Sequence, residues 1–219
     1  MRELRDGLWH WQAPHPEWTP EERWPQVVSS TAIDDGARLL LIDPLTVPEA
    51  LLARAAERET AILLTAPWHE RDARSLVERL GVTVYSPPAD TAEDLMRKHG
   101  ITREEAGDGS PDLVWLRDGD AAAHRPYAAG DPLPGGIEAL VGRETNDVLL
   151  WIDRLGALIS GDTLVDFGQG FEINRALRDG VTRQDVADRL RPLLDRPVDA
   201  VLSAHGAPTD RAALERALA

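Results

Sequence analysis

Hydrophobic positions along this chain follow two alternating patterns. Short apolar runs bounded by Gly, Pro or Asp predict strands, and apolar residues spaced three or four apart predict helices. In the first half, residues 25–30 and 37–43 read as strands joined by the turn Asp34-Asp35-Gly36, where Gly accepts positive φ. The run Leu39-Leu40-Leu41-Ile42 is apolar on both faces, as in a strand covered from two sides. A helix is predicted over 48–59 and a second short buried strand at 61–64. From Arg71, an amphipathic helix carries Ala73, Leu76, Val77 and Leu80 on one stripe and stops at Gly81. Residues 82–85 make another strand.

The second half repeats the pattern, with strands predicted at 113–116, 137–141, 147–152 and 156–160 and a hairpin turn at Asp153-Arg154-Leu155-Gly156. Thr182-Arg183-Gln184-Asp185 has capping-box spacing. The helix behind it carries Val186, Leu190, Leu193 and Leu194 and meets Pro192, which kinks or ends it. A strand at 198–203 and a helix at 209–218 close the chain. Residues 86–112 are polar and are expected to form an insertion or lid with one helix near 92–99, inside a single domain spanning 1–219. Strands alternating with helices, without an evident linker or repeat, suggest two sheets packed together with helices outside.

Composition narrows the class. The 24 Lys and Arg against 38 Asp and Glu give a net charge of −14, which argues against a general binder of nucleic acid or anionic membrane. A chain of 219 residues buries roughly 70% of its unfolded surface and needs no disulfide or structural metal to fold. The absence of cysteine excludes disulfides, thiolate catalysis and Cys-based zinc sites. The charged start, Met1-Arg2-Glu3-Leu4-Arg5-Asp6, and the lack of a long apolar run predict a soluble, cytoplasmic protein. Lys98 is the single lysine and lies in a polar segment, so Schiff-base chemistry has little support. There is no Gly-x-Ser-x-Gly elbow, and Gly168, Gly170 and Gly180 precede no Lys-Ser/Thr of a phosphate loop. His99 and His124 sit in polar stretches and are expected to be solvated.

Residues 1–25 are rich in Trp and Pro: Trp9, Trp11, Trp18 and Trp24 lie there with His10 and His15. Trp9 and Trp11 share one side if this is a strand, and are expected to cover a sheet face or edge. The other reading is an aromatic wall for a ligand or partner, and a tryptophan-rich edge makes a homodimer plausible.

Four short patterns end predicted strands, where α/β proteins place their sites: Ile42-Asp43, Thr65-Ala66-Pro67-Trp68-His69-Glu70-Arg71, Gly161-Asp162 and His205-Gly206. Each alone has an ordinary explanation, the Asp as a turn former or cap and the His as a loop residue. Together, with Leu41-Ile42-Asp43, Leu63-Leu64-Thr65, Pro134-Gly135, Ser160-Gly161-Asp162-Thr163-Leu164 and Ser203-Ala204-His205-Gly206, they carry a resemblance. From about Val27 onward the chain resembles the metallo-β-lactamase fold superfamily, four-layer αββα sandwiches that are dinuclear zinc hydrolases. The resemblance implies that fold, of the mixed α/β class.

In that family the metal loop reads Thr-His-x-His-x-Asp-His, a fourth His follows Pro-Gly, an Asp bridges the metals and a last His precedes Gly. The resemblance places the first two loop histidines on Ala66 and Trp68 and the fourth on Gly136, so the three-histidine site is lost. Glu70 takes the place of the loop Asp, and Arg71 that of the third loop His. Asp162 matches the bridging Asp and His205 the last His, while His69 falls where the family supplies no ligand.

Two centres are compatible with these residues. In the first, no metal or other cofactor binds. Arg71 is then a built-in cation whose partners are Glu70 and Asp162, relieving the repulsion of paired carboxylates, and Trp68 fills the volume of the metals. Glu70, Arg71 and Asp162 are the catalytic candidates of that centre. In the second, Glu70, Asp162 and His205, joined by His69 if the loop shifts by one residue, hold one zinc or other divalent metal. The first centre implies a binding module with an unidentified small-molecule or protein partner. The second implies a mononuclear hydrolase of a small ester, thioester or lactone. The ligand replacements favour the first.

Overall fold

In the computed structural model, which describes residues 1–118 and 123–219, the first half builds a seven-stranded sheet in chain order. Its strands are β1 (Arg2–Arg5), β2 (Leu8–Pro14), β3 (Val27–Asp34), β4 (Arg38–Ile42), β5 (Glu59–Leu63), β6 (Thr83–Ser86) and β7 (His124–Pro126). Pairing is antiparallel from β1 to β4 and parallel from β4 to β7. The change follows from the connections: tight turns allow reversal, whereas parallel neighbours need crossovers. The crossovers carry α1 (Glu49–Glu57), α2 (Ala73–Leu80), and then α3 (Ala92–His99), α4 (Arg103–Ala106) and α5 (Val114–Asp118) together.

The second sheet has β8 (Glu138–Glu144), β9 (Asp147–Ile152), β10 (Ala157–Ile159) and a late strand that enters after the ribbon of β11 (Leu164–Val165) and β12 (Glu172–Ile173). That strand, β13 (Ala200–Leu202), joins β10 in parallel, giving the order β13-β10-β9-β8. The helices α6 (Arg183–Leu190) and α7 (Arg211–Ala217) flank β13 in the chain.

Strand alternation sorts the apolar residues into three layers. Leu40 and Ile42 face inward with Leu63, Val148, Leu150, Ile159 and Leu202, so the two sheets close on each other. Leu39 and Leu41 face outward and pack with Leu51, Ala55, Ala73 and Leu76 of α1 and α2. Leu149, Trp151 and Leu158 meet Val186, Leu190 and Leu214 of α6 and α7 on the far side. The expected αββα sandwich is the observed architecture. Thr182 and Asp185 form the predicted capping box, and α6 ends at Leu190, just before Pro192.

Two local expectations change. Residues 113–116 are not a strand, since a helix begins at Val114: Leu113 and Leu116, three apart, both turn onto the outer face of the first sheet, which a strand would not permit. His124 is half-buried on β7, and its Nε2 lies 2.8 Å from Ser86 Oγ. Within 86–112, Lys98 is buried. Its Nζ reaches Asp90 Oδ1 at 2.8 Å, Glu144 Oε2 at 2.7 Å and Asn146 Oδ1 at 2.9 Å, tying α3 to the β8–β9 hairpin. Trp9 and Trp11 cover the outer sheet face, with Trp11 Nε1 donating to Leu45 O. No helix among the described residues is long and apolar enough to cross a membrane.

Candidate functional site

The parallel strands β4 and β5 end side by side, and the chain leaves them in irregular loops. Asp43 follows β4 with a positive φ of 46°, and its buried carboxylate accepts from Thr65 N at 2.8 Å and Thr65 Oγ1 at 2.6 Å. A one-turn helix at Pro67–His69 then returns His69 to the same place. Its Nδ1 lies 3.1 Å from Asp43 Oδ2 and 3.0 Å from Thr65 Oγ1. Because the threonine hydroxyl donates to Asp43, it accepts from the imidazole. His69 is therefore fixed through Nδ1, with Nε2 left facing outward.

Opposite stands Asp162, between β10 and β11. The preceding Gly161 (φ 51°) lies so close to the first sheet that a Cβ there would be 3.0 Å from Thr65 Oγ1, which holds Asp162 over the end of β5. Asp162 Oδ1 lies 3.3 Å from His69 Nε2 and 3.4 Å from His205 Nε2, the latter residue following β13. Oδ2 accepts from Trp68 Nε1 at 2.9 Å and is 3.7 Å from Arg143 Nη2. Arg143 in turn is held by Asp147 Oδ2, 2.7 Å from its Nε, and by Ala176 O.

The charges follow from this geometry. Burial alone would lower the pKa of His69, but Asp43 and Asp162 on either side raise it to about 9. Burial would raise that of Asp162, yet His69 and His205 hold it well below the usual carboxylate range. Asp147 is pushed up to about 6 by burial, against the pull of Arg143.

Of the sequence candidates, the structure brings together His69, Asp162 and His205. Glu70 points elsewhere, accepting from Leu113 N at 3.0 Å and Trp115 Nε1 at 3.1 Å, so it anchors the α5 region. Arg71 does not bridge Glu70 and Asp162. It has a positive φ of 41°, and its Nη1 donates to Ser29 O and Asp43 O at 2.7 Å each, bracing two backbone segments. Gly136 also lies apart: its neighbour Gly135 packs on Asp35 and Leu40, at the opposite end of β4 from Asp43. The Gly-led pair that does reach the centre is Gly142-Arg143. Sequence reasoning noted Asp43 as a strand-end residue without a role and missed Arg143, whose place in β8 carries no local signal.

A pocket of about 360 Å³ opens over the centre. Trp24, Trp68 and Phe167 form its aromatic walls, and Trp68 lines the space without filling it. His205 is held between Trp24, tilted at 60°, and Phe167, edge-on, with centroids 5.4 and 5.2 Å away. The N-terminal segment therefore divides, with Trp9 and Trp11 in the core and Trp24 in the pocket wall. None of the described residues lining this pocket comes from 86–112.

The donor set suits one divalent metal. His69, Asp162 and His205 each offer an atom within 4.8 Å of the others, and no other such trio occurs among the described residues. Tetrahedral ligands at ordinary zinc distances stand about 3.3–3.5 Å apart, close to the two spacings around Oδ1. Asp162 Oδ1 and His205 Nδ1 are buried and receive no aligned hydrogen bond. Asp43 stands behind His69 where a carboxylate would orient a ligating imidazole.

Neither a protein-family model nor a curated protein matches the chain. Solved structures do. DIM-1 metallo-β-lactamase is similar over 99% of this chain and 93% of its own, at 14% identity and TM-score 0.61. A metallo-β-lactamase family protein from Thermus thermophilus is similar over 98% of this chain and 78% of its own, at 18% identity and TM-score 0.60. TTHA1623, solved in a di-iron-bound form, is similar over 88% of this chain and 94% of its own, at 25% identity and TM-score 0.57. This chain has the metallo-β-lactamase fold.

Proposed function

We propose that this protein is a hydrolase that holds one divalent metal on His69, Asp162 and His205 and cleaves a small ester, thioester or lactone. The observation that carries the reading is the asymmetry of Asp162. Its Oδ2 is engaged by Trp68, whereas its buried Oδ1 faces two imidazole Nε2 atoms without an aligned hydrogen bond. A di-iron form of TTHA1623, which shares this fold, lends support.

When bound, the metal supplies Lewis acidity and an acidified water. The chain's own residues do the rest. Asp43 and Thr65 fix the His69 ring through Nδ1, and Trp68 fixes Asp162 through Oδ2. Arg143, clamped by Asp147 and Ala176 O, presents a fixed positive charge to the pocket, placed to stabilise negative charge on a substrate oxygen. Trp24 and Phe167 exclude water around an acyl group. The metal-free alternative is favoured by one observation: His69 lies between Asp43 and Asp162, at 3.1 and 3.3 Å, where a protonated imidazole would offset one of the two negative charges.

Metal content separates the two. Protein dialysed and then supplied with zinc or manganese is expected to retain about one metal per chain, with retention lost in Asp162→Ala and His205→Ala. Turnover of p-nitrophenyl esters should fall with the metal. No metal retained after add-back overturns the reading.

A further inference from the structure

The buried cation Lys98 has no part in the reaction proposed above, yet it lies one carboxylate away from Arg143. Its Nζ is 2.7 Å from Glu144 Oε2, and the other oxygen of that carboxylate, Oε1, is 3.8 Å from Arg143 Nη1. Arg143 Nη2 in turn stands 3.7 Å from Asp162 Oδ2. We propose that Lys98 is a positioning residue: by holding Glu144 it keeps the Arg143 guanidinium directed into the pocket, so that the 86–112 segment sets the charge at a centre it does not line. That Arg143 acts on a substrate rests on the hydrolytic reading above; that Lys98 places it does not.

A bulge brings the two side chains together. Adjacent residues of a regular strand point to opposite faces. The register of β8 against β9 shifts between Val141 and Glu144, and an extra residue of this kind takes side chains out of strict alternation. Gly142 permits the close approach, since a Cβ there would lie 2.1 Å from Asp147 O. The neighbours Arg143 and Glu144 therefore approach each other, and both side chains are largely buried.

Competition for one carboxylate is the physical basis. Three carboxylates surround Arg143: Asp147, 2.7 Å from its Nε, with Asp162 and Glu144 farther off. A guanidinium pairs best with a carboxylate through two parallel hydrogen bonds. Glu144 is withheld from that pairing because Lys98 takes its Oε2, and Lys98 is itself fixed by Asp90 Oδ1 at 2.8 Å and Asn146 Oδ1 at 2.9 Å. Without the ammonium, Glu144 would be left with Arg143 as its cation. Nη1 would then turn from Ala176 O to Glu144, and the guanidinium would leave its place beside Asp162 and over the Trp68 ring, whose centroid is 5.8 Å away.

The test uses Lys98→Met, Lys98→Met/Glu144→Gln and Asp90→Asn, each held below its unfolding transition. The indole N–H resonance of Trp68, assigned by its loss in Trp68→Phe, reports the guanidinium over that ring in metal-free protein. Lys98→Met is expected to move this resonance. With metal supplied, it should also lower kcat on p-nitrophenyl esters, per bound metal, by about 10–100-fold at nearly constant KM, short of the loss from removing such a charge outright. Glu144→Gln in the same chain removes the competing carboxylate and should return both readouts towards wild type. Asp90→Asn loosens the same anchor but leaves Glu144 on Lys98, and should move neither. Lys98→Gln replaces Lys98→Met if the latter does not fold. A resonance unmoved in the lysine variant, moved equally by Asp90→Asn, or not restored by Glu144→Gln overturns the inference. The expected pattern of resonances with no turnover by any form upholds the placement of Arg143 and overturns the hydrolytic reading. The same pattern with kcat unchanged upholds the placement and removes Arg143 from the reaction.

Discussion

Asp43 Oδ2 and His69 Nδ1 lie 3.1 Å apart in the buried floor of the centre, joined by Thr65. This contact decides which imidazole nitrogen is free to meet Asp162. Asp43→Ala is therefore expected to weaken metal binding by about 10–100-fold, the usual consequence of losing the carboxylate behind a ligating histidine. Competition with a chromogenic chelator measures it. An unchanged affinity would remove His69 from the ligand set.

Arg71 braces Ser29 O and Asp43 O rather than sitting among the carboxylates. Arg71→Met should cost about 2–3 kcal/mol by stranding two carbonyls. It should also leave the number of bound metals unchanged. Denaturant unfolding and metal analysis on the same preparation read both. A gain of a second metal would restore Arg71 as the blocker of a dinuclear site.

His10 is buried on β2 with Nε2 unpartnered, and burial lowers its pKa to about 4, helped by Arg2. The unfolded chain, near 6.5, binds the proton more readily. Stability from this residue is thus present above pH 6.5 and lost as pH falls towards 4, with a slope of at most about 1.4 kcal/mol per unit. His10→Phe is expected to flatten that part of the stability profile. A wild-type slope retained in the variant would place the acid sensitivity elsewhere.

Lys98 joins α3 to the β8–β9 hairpin through Asp90, Glu144 and Asn146, with its side chain 2% exposed. Lys98→Met should destabilise the protein by about 1–3 kcal/mol, because it leaves the half-buried Asp90 carboxylate without a cation, while Glu144 keeps Arg143 at 3.8 Å. Thermal unfolding reports the loss. A change within about 0.5 kcal/mol would mean that the pair is effectively solvated.

The layered fold was legible because alternation is a local property: Leu39 to Ile42 announces a strand covered on both sides, and Thr182 with Asp185 announces a helix start. The run at 113–116 misled for the same reason, since four apolar residues satisfy either period. Asp162 and His205 were found from short strand-end motifs, and the structure does bring them together. Glu70 was placed by its position in the metal loop, but Leu113 N and Trp115 Nε1 draw its carboxylate away.

By itself, then, the sequence determined the order of strands and helices, the absence of histidine at Ala66, Trp68 and Gly136, and the residues from which a centre would be drawn. Tertiary structure alone decided that His69 faces Asp162, that Arg71 at the pocket wall braces Ser29 O and Asp43 O, and that Arg143 arrives from the other sheet. The reason is geometric. Periodicity constrains side-chain direction only inside regular elements, whereas Asp43 and Arg71 sit at positive φ in loops, where direction is set by hydrogen bonds to residues far away in the chain.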